Sequence, residues 1–159
     1  MTGVVPAVSR PAGAQSIDQI LGAARARLTR VTPAAAHEEV SDGAVLVDIR
    51  PAAQRAVSGE VPGSWIVERN HLEWRFDPES GARLPFVTDY GLRVIVICAE
   101  GYTSSLAAAA LQDLGLARAT DVIGGYAAWA AAGLPTAAAS AGAVAIAPGA
   151  SAAGSALAG

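Results

Sequence analysis

The sequence predicts an α/β domain of three layers, in which helices cover both faces of a central, mostly parallel sheet. Residues 44–49 and 93–97 are apolar except for Asp48 and Arg93, as in strands that are buried on both faces. Short strands alternate with helical stretches between residues 32 and 135, the order expected when helices join parallel strands. The length of 159 residues suits one domain with its own core.

The first expected element is a helix within residues 16–31, after a flexible leader of residues 1–15. Ser16 and Gln19 have the spacing of a capping box, in which each side chain accepts from the other residue's backbone amide. Apolar residues recur behind them at helical spacing: Ile17, Ile20, Leu21, Ala24 and Leu28. This stripe fits packing against the domain itself, and it also permits a homodimer.

Helices and strands then alternate as far as residue 67. Thr32, followed by proline, predicts the start of a helix that Gly43 ends. The apolar run at 44–49 is the first buried strand. A short helix that ends at Gly59 and a short strand at 65–67 follow it.

The second half repeats this alternation after an irregular stretch. Residues 70–75 predict one or two helical turns, and 93–97 form the second buried strand. An alanine-rich helix at 104–114 precedes a short strand at 120–125. The last helix, 125–133, is followed by glycine and proline as stop signals, and its tryptophan is expected to face the sheet.

Residues 136–159 form a low-complexity tail, rich in alanine and without charge, which is expected to be disordered or loosely held. No stretch has the roughly 20 strongly apolar residues of a membrane span. The N-terminus shows no signal-peptide pattern. A membrane partner is therefore not expected.

Composition narrows the chemistry further. All eleven basic residues are arginine, which excludes lysine chemistry and leaves guanidinium groups that bind oxyanions in a forked geometry. The net charge of −3 gives no reason to expect nucleic acid as a partner. The one cysteine, Cys98, can form no internal disulfide, and no cysteine–histidine cluster predicts a metal site. A free thiol favours a reducing, cytoplasmic location.

Cys98 lies where a parallel sheet usually carries its ligand site, at the carboxyl end of a buried strand. The loop that follows can curl so that its backbone amides point inward, at the start of a helix. Gly101 is the loop residue most in need of a left-handed conformation. A cysteine facing such amides is held as a reactive thiolate. The alternative is that Cys98 is a small buried hydrophobe at the end of a core strand.

Four segments resemble the rhodanese family, in matching order between residues 32 and 135. Residues 45–51 (VLVDIRP) resemble its Asp-x-Arg strand end, and 59–64 (GEVPGS) its Pro-Gly turn. Residues 94–105 (VIVICAEGYTSS) are similar to its active-site strand and loop, Cys-x-x-Gly-x-x-Ser. Residues 122–135 (VIGGYAAWAAAGLP) are similar to its closing Gly-Gly, Trp and Gly-x-Pro pattern.

The resemblance implies a sulfurtransferase whose cysteine accepts a sulfane sulfur as a persulfide and passes it to an acceptor. The implied catalytic residue is Cys98. The implied loop comprises Ala99, Glu100, Gly101, Tyr102, Thr103 and Ser104, and the hydroxyls of the last two would serve the sulfur or cap the helix. Six residues from Cys98 to Thr103 fit sulfurtransferases, whereas phosphatases of this fold have a longer loop ending in arginine. No cofactor or metal is implied.

Two positions depart from the family pattern. Glu60 stands where the family commonly has histidine, and we expect this position to be structural. Glu100 places a carboxylate where enzymes that favour thiosulfate often carry a basic residue. We therefore expect weak use of thiosulfate and a persulfide, thiol or protein as the natural donor, unless Glu100 only points to solvent.

Four further residues are candidates for the site. Arg69 and Arg75 would bind the anionic end of a donor, or lie in surface ion pairs with neighbouring glutamates. Asp48 and Arg50 would support the loop through an ion pair, with direct contact to the donor as the alternative. The expected partners are a small sulfur donor and a thiol or protein acceptor. The alternative function is a non-catalytic rhodanese-like binding or regulatory module.

Overall fold

The computed structural model describes residues 3–139, in which four parallel strands form one sheet. The strands are β1 (Val45–Asp48), β2 (Trp65–Ile66), β3 (Val94–Ile97) and β4 (Thr120–Asp121). Their order across the sheet is β2-β1-β3-β4, and every pair is parallel. The helices are α1 (Ile17–Ala26), α2 (Pro33–Ser41), α3 (Ala52–Ser58), α4 (Leu72–Phe76), α5 (Thr103–Asp113) and α6 (Gly125–Ala131). The predicted three-layer α/β fold is confirmed.

Alternation along the central strand β3 builds two cores. Val94, Val96 and then Cys98 pack on one face, in a cluster with residues of α4 and α5. Ile95 and Ile97 pack on the other face, in a cluster with residues of α2 and α6. Every residue of β3 is buried because helices lie on both faces, which explains the unbroken apolar run.

Local signals set the helix starts. Ser16 and Gln19 form the predicted capping box, and Thr32 accepts from the amide of Ala35 at the start of α2. Helix α1 is shorter than the predicted range, ending at Ala26 with Arg27 as its C-cap.

The apolar stripe of α1 is covered only in its second half. Ala24 is buried where the helix packs on α5, but Ile17 and Ile20 remain 63% and 42% exposed. Periodicity identified the face correctly and overestimated how much of it the domain covers. A homodimer through this face stays a prediction.

The two ends of the described chain differ in secondary structure and in pairing with the domain. Residues 3–15 contain neither helix nor strand and are largely exposed. At the other end, Ala137 forms an antiparallel bridge with Glu60, so the first residues of the predicted loose tail are paired. Residues 140–159 lie outside the described residues. No helix within 3–139 has the length and apolar character needed to cross a membrane.

Candidate functional site

Cys98 directly follows Ile97 at the carboxyl end of β3, between the neighbouring strands β1 and β4. The residue is a free cysteine and only 3% exposed. A reactant therefore has to reach a nearly covered atom. The fold places Cys98 where open parallel sheets bind their ligands, at the strand ends.

The loop after Cys98 folds back over its sulfur. The amide of Gly101 donates to Sγ at 3.2 Å, and the amide of Ser104 donates to it at 3.4 Å. Amide donors stabilise a thiolate, whereas a cysteine that only fills space needs none. The geometry thus brings two of the predicted loop amides onto the sulfur.

Gly101 has the left-handed conformation that the loop requires, with φ of +83°. A Cβ at this position would lie 2.7 Å from the backbone nitrogen of Gly124. Any other residue would be both strained and obstructed, so glycine is required by two independent constraints.

The start of α6 supports the loop from the other side. The amides of Tyr126 and Ala127 donate to the carbonyls of Cys98 and Ala99 at 2.8 and 3.0 Å. A Cβ on Gly125 would lie 2.5 Å from the Cys98 carbonyl oxygen. The double glycine that carried part of the family resemblance therefore lets α6 approach the cysteine loop closely, a role that sequence reasoning missed.

Asp121, at the end of β4, is a buried acceptor beneath the loop. The hydroxyls of Ser104 and Ser105 donate to its Oδ2 at 2.7 and 2.8 Å, and Arg30 pairs with it at 2.9 Å. The expectation that the Ser104 hydroxyl serves the sulfur or caps the helix is wrong, because that hydroxyl is directed to Asp121. Helix α5 starts at Thr103 without a side-chain cap.

Two arginines from the N-terminal segment reach the loop. Arg25 and Arg30 both donate to the carbonyl oxygen of Gly101, at 2.7 and 3.0 Å. The Nε of Arg25 also donates to Ser105 Oγ at 3.1 Å. Sequence reasoning missed both residues, and only the all-arginine composition hinted at forked contacts.

Three loop residues are exposed, and Ala99 is half-buried. Tyr102 is 59% exposed, with the Arg25 guanidinium 5.5 Å from its ring centroid. Glu100 and Thr103 also face solvent. The carboxylate of Glu100 is therefore screened by water, which weakens its effect on an anionic donor.

Asp48 and Arg50 form a buried, forked ion pair near the loop. Arg50 donates to both carboxylate oxygens of Asp48, and to the carbonyl of Gly59 at 2.8 Å. Its guanidinium lies 4.1 Å from the ring centroid of Tyr126. Asp48 pairs with Ile97 across the sheet, one residue before the cysteine. The expected ion pair is therefore present, and its support of the cysteine loop stays a prediction.

Arg69 and Arg75 occupy different environments. Arg69 follows β2, pairs with Glu73 and lines a shallow pocket with Ile49 and Pro51. Arg75 is 9% exposed and donates to the carbonyl of Ala82 at 2.8 Å, and burial lowers the pKa of its guanidinium. Arg69 is thus the more accessible of the two, and a role for either in binding the donor stays a prediction.

Glu60, the other departure from the family pattern, pairs with Arg55 at 2.8 Å in a largely buried ion pair. This contact fits the expected structural role. Within residues 3–139, no three side chains among histidine, cysteine, aspartate and glutamate gather in a way that could hold a metal ion.

The chain is similar to one protein family and to several solved structures. Residues 32–132 match the family model described as Rhodanese-like domain. A protein of unknown function from Rhodopseudomonas palustris, described as a possible tyrosine phosphatase, is 31% identical with a TM-score of 0.72, over 82% of this chain and 100% of that one. No curated protein matches the chain significantly.

Two sulfurtransferase structures are also similar in fold. The polysulfide-sulfur transferase homodimer from Wolinella succinogenes is 22% identical with a TM-score of 0.61, over 79% of this chain and 89% of that chain. A thiosulfate sulfurtransferase from Pseudomonas aeruginosa is 24% identical with a TM-score of 0.52, over 68% of this chain and 19% of that one. At these identities the likeness concerns the fold.

Proposed function

The chain belongs to the rhodanese-like domain family, and on that basis we propose that it is a sulfurtransferase that works through a persulfide on Cys98. The observation that carries this proposal is the pair of amides, from Gly101 and Ser104, that donate to the sulfur atom. Because these donors favour negative charge on sulfur, Cys98 serves as the nucleophile without a histidine base.

Transfer takes two displacements at sulfur. The Cys98 thiolate attacks the sulfane sulfur of the donor, the new S–S bond forms, and the donor's remainder leaves with the electron pair as sulfite or a thiolate. An acceptor thiolate then attacks the outer sulfur of the persulfide, and Cys98 leaves as a thiolate. The loop amides stabilise the anionic sulfur before the first step and after the second.

The natural donor in this proposal is a persulfide, either a small molecule or one carried on a protein, rather than thiosulfate. The only charged side chain in the loop is the carboxylate of Glu100, which repels a doubly charged donor. Its exposure limits that repulsion, so we expect slow rather than absent use of thiosulfate. The reaction needs no cofactor, and the reduced thiol suits a cytoplasmic setting.

Phosphoryl transfer is the competing chemistry, because one similar structure is described as a possible tyrosine phosphatase. A transferred phosphoryl group needs cationic donors around its oxygens. In this chain Thr103, Ser104 and Ser105 occupy the region where phosphatases of the fold carry arginine, and the guanidiniums of Arg25 and Arg30 donate to the Gly101 carbonyl. These contacts favour sulfur transfer.

The test is to incubate the protein separately with thiosulfate and with glutathione persulfide, and to measure its intact mass. We expect a gain of one sulfur atom that is absent in Cys98→Ser and reversed by a thiol acceptor. Glu100→Gln should speed loading by thiosulfate more than loading by the persulfide. No gain with any donor would favour the non-catalytic module, and hydrolysis of p-nitrophenyl phosphate that depends on Cys98 would favour a phosphatase.

A further inference from the structure

We infer that the N-terminal segment, residues 16–31, is part of the active site, and that its Arg25 and Arg30 position the Cys98 loop. The segment lies before residues 32–132, which match the family model. Both arginines are positioning residues, since they contact the loop carbonyl of Gly101 and not the sulfur. The inference rests on the proposed role of Cys98 as a nucleophile.

The sheet itself places Arg30. Val31 forms a parallel bridge with Val122, just beyond β4, and its amide donates to the carbonyl of Asp121 at 3.1 Å. This pairing sets Arg30 beside Asp121, where its Nε and Nη2 reach the two carboxylate oxygens at 2.9 and 3.1 Å. The same Nη2 also reaches the Gly101 carbonyl at 3.0 Å. Arg30 therefore ties the loop to the end of a strand.

Helix packing places Arg25. It lies in the last turn of α1, which packs on α5. Its Nε donates to Ser105 Oγ at 3.1 Å, and its Nη2 donates to the Gly101 carbonyl at 2.7 Å. A carbonyl oxygen has two lone pairs, so the two arginines together saturate it. Such charge-assisted bonds are shorter and stronger than neutral ones.

The contacts made by the carbonyl and by the amide of Gly101 explain how the two arginines act on the sulfur. Its carbonyl is held by the two guanidiniums, while its amide donates to the Cys98 sulfur at 3.2 Å. Because Gly101 has a left-handed φ and no side chain, little in its own conformation keeps that amide on the sulfur. The two groups belong to adjacent peptide planes joined at the Gly101 Cα, so anchoring the carbonyl limits how far the amide can move from the sulfur.

Charge gives Arg30 a second effect on the thiolate. Asp121 is fully buried and lies beneath the loop, held by the hydroxyls of Ser104 and Ser105. An uncompensated carboxylate there would disfavour a thiolate nearby. The Arg30 side chain, 17% exposed, neutralises it in a setting where water screens little.

The test compares Arg25→Ala and Arg30→Ala with Arg27→Ala as the matched control. Arg27 caps the same helix, and its exposed ion pair with Asp113 lies away from the loop. The rate of Cys98 alkylation by iodoacetamide is measured against pH, and urea unfolding defines the conditions in which each variant is folded. The measurement needs no sulfur donor, so it is independent of whether the protein transfers sulfur.

We expect the pH midpoint of alkylation to rise by about 0.5–1 unit in each loop variant, which is a three- to tenfold loss of thiolate at pH values below the parental midpoint. Arg27→Ala should leave it unchanged, and Arg25→Lys, which keeps one donor for the carbonyl, should restore part of the shift. The test relies on the pH midpoint and not on the maximal alkylation rate, because a loosened loop also exposes the thiol and raises the rate at high pH.

Folded variants with the parental midpoint would overturn the inference and leave the arginines as stability contacts. If Arg30→Ala does not fold, Arg25→Ala alone decides. A midpoint shift in a protein that never gains sulfur would support the positioning role and refute sulfur transfer, so the two failures are distinguishable.

Discussion

Replacing Gly101 with alanine tests the cysteine loop most directly, because the change is one methyl group at a known distance. An alanine with φ near the +83° of Gly101 costs about 1–2 kcal/mol from its left-handed conformation alone. Its Cβ would lie 2.7 Å from the nitrogen of Gly124, and ordinary contact begins near 3.4 Å, so the backbone must move by about 0.7 Å.

A shift of that size acts on the sulfur contact. If Gly101 moves away from Gly124, its 3.2 Å bond to Cys98 Sγ stretches to at most about 3.9 Å and is weakened. If Gly124 moves instead, it displaces the start of α6, which holds the Cys98 carbonyl. A hydrogen bond to a charged group contributes about 1.5–3 kcal/mol. We therefore expect a loss of reactive thiolate of up to about a hundredfold at pH values below the parental midpoint of alkylation.

Gly63→Ala is the matched control, because Gly63 has a φ of +79° and a Cβ added there would meet no atom within 4 Å. Both variants should lose about 1–2 kcal/mol in urea unfolding from backbone strain, and Gly101→Ala about 1–3 kcal/mol more from crowding. Only Gly101→Ala should raise the pH midpoint of Cys98 alkylation. Equal midpoints in the two variants would show that the Gly101 amide does not stabilise the thiolate.

Three further substitutions test other contacts. Asp121→Asn should cost about 3–5 kcal/mol in urea unfolding, because it leaves the partly buried guanidinium of Arg30 without its counter-charge; a loss near zero would contradict this. Glu60→Gln should lower the unfolding free energy by about 2 kcal/mol through its contact with Arg55, while persulfide formation stays unchanged; a slower formation would give Glu60 a role beyond structure. The pKa of Glu39 lies below its ordinary 4.5, chiefly because Arg93 donates to its carboxylate. The stability that this pair contributes is complete above about pH 4.5 and is lost as the pH falls through the lower pKa of Glu39 in the folded state. Glu39→Gln should therefore make the thermal unfolding midpoint fall less steeply with decreasing pH. An unchanged dependence on pH would refute the assignment.

The elements of the fold were predictable because their signals are local. An unbroken apolar run identified β3, and Thr32 marked the start of α2 through its cap. The position of Cys98 at a strand end followed from the same runs. The exposure of Ile17 and Ile20 was not predictable, because periodicity defines a face without showing how far a partner covers it.

The contacts beneath the loop could not be predicted, because they join residues far apart in the chain. Arg25 and Arg30 lie 71 to 91 residues before the groups they hold. No local pattern distinguishes them from Arg27, which points to the surface two residues from Arg25. Likewise, a serine at the start of α5 is typical of a helix cap, but the Ser104 hydroxyl donates to the buried carboxylate of Asp121, which is a stronger acceptor.

The bridge between Glu60 and Ala137 bears on how much chain the domain needs in order to fold alone. The indole of Trp129 also donates to the carbonyl of Pro135 at 2.9 Å, so residues beyond α6 are hydrogen-bonded to the rest of the domain. A fragment that ends at residue 132, where the family match ends, would lose both contacts and leave the indole of Trp129 without its acceptor. The residues that contact the domain thus extend beyond the family match, and expression trials should include at least residue 137.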